Sequence, residues 1–115
     1  MKKVLIAFDI DGTIRKNTIE DKVVPNERIR TLLITLASMK NTNILVWSGG
    51  GELYARQMVK ALAIEKYVDI ITSKELTKED DNNVRESHSV YKPDIAIDDI
   101  QDCTLGNVNL IVREK

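Results

Sequence analysis

One cysteine, one histidine, two prolines and one tryptophan among 115 residues leave this chain short of several common kinds of chemistry. A lone Cys103 excludes an intramolecular disulfide, so a reducing compartment, the cytoplasm, is the expected setting. With no basic neighbour in sequence, that thiol reads as a small packed residue. His88, the single histidine, lies in a polar stretch and has no evident partner. Charge of one sign is missing too: 17 basic against 18 acidic side chains give a net charge of −1. Nothing in that balance points to a nucleic-acid or membrane surface. Long hydrophobic runs are absent. The apolar start, Val4 to Phe8, is cut by Asp9 before it reaches signal-peptide length, and no other stretch approaches a membrane span.

What is present is an ordinary globular composition, 43% hydrophobic and 30% charged, with length for one domain and not two. Apolar strand-like runs alternate with helix-like segments, the pattern of an α/β domain with a mostly parallel sheet. Strands are expected at Lys3–Phe8, Asn43–Trp47, Asp69–Thr72, Asp94–Ile97 and Asn109–Val112. Pro25 suits a first helical turn, and Ile29, Leu32, Leu33 and Leu36 then recur at helical spacing. Asn41 and Asn43 suit the exit from that helix. A second helix is expected from about Gly51 to Ala63, with Tyr54, Ala55, Met58, Val59 and Leu62 facing inward.

Two stretches lack a helical pattern. Residues 12–24 are polar in the middle and β-branched at the edges, and read as a small hairpin flap. Residues 74–92 are long and charged, broken by Asp80-Asp81-Asn82-Asn83, with room for a helical turn near Ser73–Glu79. A loop of that length in a small domain is commonly functional.

Chemistry collects at the strand ends. Asp9 and Asp11 follow the first strand two residues apart, so they leave it on the same side, and Gly12 permits a sharp turn. Ser48-Gly49-Gly50-Gly51 follows the second strand. Lys92-Pro93 precedes the fourth, and Asp98-Asp99 follows it. In an open parallel sheet, ligands sit at the carboxyl ends of the strands. Carboxylates gathered there repel by about 4 kcal/mol per pair at 4 Å and moderate dielectric. A bound cation relieves this, and Mg²⁺ prefers oxygen ligands.

These residues resemble, in order, the four motifs of the haloacid dehalogenase superfamily of phosphohydrolases: Asp9-Ile10-Asp11-Gly12-Thr13, Ser48, Lys92-Pro93 and Asp98-Asp99. The resemblance implies a Rossmann-like domain with helices on both faces of a parallel sheet. It further implies Mg²⁺ held by Asp9, the Asp11 carbonyl and Asp98, with Asp99 acting through water or orienting Lys92. Asp9 would attack phosphorus and Asp11 would serve as general acid and base. Thr13, Ser48 and the Gly49 amide would contact the phosphoryl group, and Lys92 would neutralise its charge. Lys74, at the end of the third strand, competes with Lys92 for that place. An acid at position 11 is similar to the superfamily's phosphatases and unlike its dehalogenases.

The segments between motifs are too short for the inserted cap domain of most members. By resemblance, a capless enzyme with an open site acts on a large phosphorylated substrate such as a phosphoprotein, a nucleic-acid end or a sugar-phosphate polymer. A homo-oligomer that covers the site is the other implied arrangement. Nucleic acid enters only as substrate. A non-catalytic phosphate- or metal-binding module on the same fold is the alternative. A two-component receiver domain uses similar residues in a different strand order.

Overall fold

The computed structural model describes residues 3–18, 20–74, 85–86, 91–100 and 103–113. Strand β1 (Val4–Phe8) runs into the hairpin flap and then helix α1 (Glu27–Ala37). Strand β2 (Thr42–Ser48), helix α2 (Glu52–Ala61), a short 3₁₀ turn (Glu65–Tyr67) and strand β3 (Ile70–Ser73) follow. Strands β4 (Arg85–Glu86), β5 (Ile95–Asp98), β6 (Cys103–Thr104) and β7 (Val108–Ile111) complete the described elements. Five strands form one parallel sheet in the order β3-β2-β1-β5-β7, and β4 pairs with β6 in a separate two-stranded parallel ladder.

Register follows the apolar alternation. Ile6 pairs with Ile44 and Ile95, and Phe8 with Val46 and Ile97, so these side chains share one face. Ile29, Leu33 and Leu36 of α1 and Ala55, Met58 and Val59 of α2 pack on that face. Truncating fully buried Leu33 to Ala would cost roughly 2–5 kcal/mol through lost contacts and the cavity left behind. Ala7, Leu45, Trp47 and Ala96 occupy the opposite face, packed with Leu105 and, at its edge, Tyr91.

Helices were expected on both faces, but among the described residues α1 and α2 lie on the same one. Handedness accounts for this: two successive right-handed crossovers moving toward the same sheet edge place both helices on one side. The chain then returns past β1 to β5 and moves the other way to β7, which puts Leu105 on the far face. Within α1, Leu32 lies on the solvent side of the helix, outside the buried stripe. Pro25 sits just before the helix, bridged to Arg15, and Asn26 is the residue that starts it. Asn41, at φ 61°, makes the left-handed turn into β2.

The sheet is pinned at its quiet end by two carboxylates. Asp94, just before β5, accepts from the Leu5 amide at 2.8 Å, and Asp69, just before β3, accepts from the Ile44 amide at 2.8 Å. The flap closes as a hairpin: the Lys16 amide donates to Val24 O at 2.8 Å and the Asn26 amide to Ile14 O at 2.6 Å. The suggested helical turn near Ser73–Glu79 begins inside β3 and passes to Lys74; residues 75–79, like His88 and most of 74–92, lie outside the described residues. No helix among the described residues is long and apolar enough to cross a membrane.

Candidate functional site

The chain leaves β1 toward β2 on one side, while β5 leads to β7 on the other. The carboxyl ends of β1 and β5 therefore flank the point where strand order reverses, the usual place for a ligand in an open parallel sheet. Asp9 follows β1 directly, Asp98 ends β5 and Asp99 comes next. The Asp9 amide donates to Ile97 O at 3.0 Å, which ties the two strand ends together. One carboxylate oxygen from each of Asp9, Asp98 and Asp99 lies within 4.8 Å of the others. Asp9 and Asp98 are buried and Asp99 is half-buried.

A lysine meets this cluster, and it is Lys74. Its Nζ donates to Asp9 Oδ1 and to Asp98 Oδ2, each at 2.7 Å, and its side chain is 4% exposed. Lys74 continues directly from β3, and its amide donates to Ser48 O at 2.8 Å, which fixes it over the end of β2. The side chain then reaches past β2 to the β1–β5 crevice. Lys92, the residue expected here, is exposed and precedes β5. It lies before the bend at Asp94 and the whole length of β5, whose far end carries Asp98, so it belongs to the opposite end of the sheet.

Burial pushes Asp9 up to about 7, against the pull of the Lys74 ammonium and with the added push of the Asp98 charge. Burial, and further the Asp98 charge, also raise Asp99. Burial opposes the charge on Lys74, but Asp9 and Asp98 outweigh it and hold the ammonium above its ordinary range. Among the described residues three carboxylates thus face one ammonium, which leaves that cluster short of positive charge. Its donors are all oxygen, the set a hard divalent cation such as Mg²⁺ accepts.

Gly12 makes that crowding possible. At φ +81° it turns the chain in the left-handed region, and a Cβ there would lie 2.1 Å from Asp99 Oδ2. Only a residue without a side chain leaves the Asp99 carboxylate its place. Thr13 is buried, and its hydroxyl donates to Asp9 Oδ2 at 3.4 Å. The hydroxyl expected to contact a phosphoryl group is thus buried and turned to the Asp9 carboxylate.

Ser48 ends β2 fully inside the fold, and its Oγ accepts from the Gly50 amide at 3.0 Å. Exposed Gly49 and Gly50 lead to Gly51, which starts α2 at φ +103°. The Gly51 amide likewise donates to Ser48 O at 3.2 Å, so the turn's own amides hold Ser48 in place and its hydroxyl and the Gly49 amide are the groups suited to phosphoryl oxygens.

Asp11 stands apart from the three-carboxylate cluster. Its side chain is 47% exposed, and Oδ1 accepts from Tyr54 Oη at 2.7 Å and from Arg15 Nη1 at 3.1 Å. Arg15 Nη1 also donates to Tyr54 Oη at 2.9 Å, and Nη2 donates to Lys22 O at 3.0 Å. Burial, then Asp11, raise Tyr54, so its phenol stays a donor at neutral pH. Sequence periodicity assigned Tyr54 to the core. Its ring does pack there, but the hydroxyl comes out at the site.

Comparison with protein-family models, with curated proteins and with solved structures found no match for this chain.

Proposed function

We propose that this chain is a Mg²⁺-dependent phosphomonoesterase of the haloacid dehalogenase type, working through an aspartyl-phosphate on Asp9. The observation that carries this reading is the buried Lys74 ammonium bridging Asp9 and Asp98 at 2.7 Å beside Asp99. A structural lysine already bridging two carboxylates has no use for a third crowded against them, since charge left unpaired away from water is costly.

Asp9, Asp98 and Asp99 would hold the cation, joined by the Asp11 carbonyl as the resemblance implies. When bound, Mg²⁺ would neutralise these carboxylates and polarise phosphoryl oxygens. Lys74 draws Asp9 toward its ionised form, against burial, and orients it for attack on phosphorus; it takes the position that the family likeness gave to Lys92. Ser48 and the Gly49 amide bind the phosphoryl oxygens. Asp11 protonates the departing oxygen, then accepts a proton from the water that releases phosphate. The flap is a hairpin only, which supports an open site and a phosphorylated group carried on a large molecule. Covering of the site by a second copy is the arrangement to look for with small substrates.

The test is hydrolysis of aryl phosphates with added Mg²⁺, in the unsubstituted chain and in Asp9→Asn. Turnover lost in the variant supports the reading. Turnover retained there sinks it, and Mg²⁺ binding without turnover on a broad substrate panel would make the chain a binding module instead.

A further inference from the structure

Asp11 is the acidic group of this site that the three-carboxylate cluster leaves out, and its surroundings are more elaborate than an exposed aspartate needs. Two donors from different elements converge on one oxygen: Tyr54 Oη from α2 at 2.7 Å and Arg15 Nη1 from the flap at 3.1 Å, both to Oδ1. The donors also bind each other at 2.9 Å, closing a ring of hydrogen bonds. Arg15 is itself anchored to the flap through Lys22 O. An exposed carboxylate ordinarily samples several rotamers, and held by Oδ1 it presents Oδ2.

We propose that Tyr54, seconded by Arg15, is a positioning residue that aims Asp11 Oδ2 at the leaving oxygen, and that the substrates are phosphate esters of aliphatic alcohols. The inference rests on the reading of Asp11 as general acid given above. In the step concerned, an Asp9 oxygen bonds to phosphorus, the bond from phosphorus to the alcohol oxygen breaks, and the proton on Asp11 Oδ2 passes to that oxygen. The products are the aspartyl-phosphate and the neutral alcohol. Water then attacks phosphorus, the Asp9–phosphorus bond breaks, and a water proton returns to Asp11. An alkoxide is a strong base and leaves only when protonated, so a precisely held acid matters for alkyl esters. A nitrophenolate leaves unaided, and acyl phosphates and phosphoanhydrides likewise need little help. Two donors committed to aiming one acid are therefore a device for alkyl phosphates.

The experiment compares kcat/KM, which reports the step that expels the alcohol, for an alkyl phosphate and for 2,4-dinitrophenyl phosphate. Tyr54→Phe keeps the packed ring and removes the donor. Its kcat/KM should fall on the order of ten- to a hundredfold for the alkyl ester and by no more than about twofold for the dinitrophenyl ester. Arg15→Lys, which leaves Tyr54 in place, should show a smaller loss with the same preference, and it decides the matter if Tyr54→Phe does not fold. Equal losses on the two esters, or no loss on either, overturn the positioning role while the phosphohydrolase reading stands. Absence of Asp9-dependent hydrolysis in the unsubstituted chain overturns both.

Discussion

Lys74 leaves the end of an edge strand and places its ammonium 2.7 Å from Asp9 Oδ1, across the whole width of the intervening strand β2. The contact joins residues 65 positions apart and is buried on both sides. It makes Lys74 a structural partner of the carboxylates as well as the site's cation, and these roles can be separated.

Lys74→Met should abolish turnover and destabilise the fold by about 3–5 kcal/mol, since it strands buried carboxylates without their partner. Denaturant melts would show this, and millimolar Mg²⁺ should restore part of the lost stability without restoring turnover. Lys92→Ala, at the far end of the sheet, should leave turnover close to that of the parent. Loss of activity in Lys92→Ala with retention in Lys74→Met would reverse the assignment made here.

The pH dependence has a definite sign. Asp9 rises from an ordinary 3.8 to about 7 in the folded chain, so the folded state binds the extra proton between those values. Its contribution to metal-free stability is complete below 3.8 and is lost as pH climbs through about 7. Metal-free melting temperature in Asp9→Asn should fall less over that interval than in the parent. Mg²⁺ competes with the same proton, so its affinity, read by calorimetry, should rise with pH up to about 7.

Gly12→Ala should weaken Mg²⁺ binding at least about tenfold, in line with losses seen when residues around metal ligands are disturbed. A Cβ at this position would overlap Asp99 Oδ2 and would hold a left-handed φ that costs roughly 1–2 kcal/mol. Unaltered metal affinity would show that Asp99 takes no part in holding the ion.

Ser48→Ala removes a hydroxyl from the expected phosphoryl position and the acceptor of the Gly50 amide. A hydrogen bond to a charged group is worth about 1.5–3 kcal/mol, so kcat/KM should fall roughly ten- to a hundredfold. Inhibition by inorganic phosphate should weaken in parallel, because the same contact serves the product.

Much of this site was legible because its residues are punctuation in an apolar pattern. Asp9, Ser48 and Asp98 each stand where a strand-like run ends, and each sits at the carboxyl edge of the sheet. Lys74 was harder to read. It stands after its strand, as a site residue should, while Lys92-Pro93 stands before one; the amino-to-carboxyl sense of parallel strands separates the two more firmly than motif likeness did. Tyr54 was hidden for a different reason. Helical periodicity reports which way a ring points, not where its hydroxyl surfaces. The placement of both helices on one face depended on strand order, which no local pattern encodes.

The two carboxylates at the far end of the sheet carry a consequence for the near one. Asp94 and Asp69 lock the starts of β1 and β2 against the strands beside them, and β5, only four residues long, runs from Asp94 to the acidic edge. Strands this short act as stiff rods. An error of alignment at the foot is delivered undiminished at the tip, where a one-residue slip would turn Asp98 away from Asp9 altogether. Two carboxylates at the foot of the sheet therefore calibrate the spacing of the three at its tip.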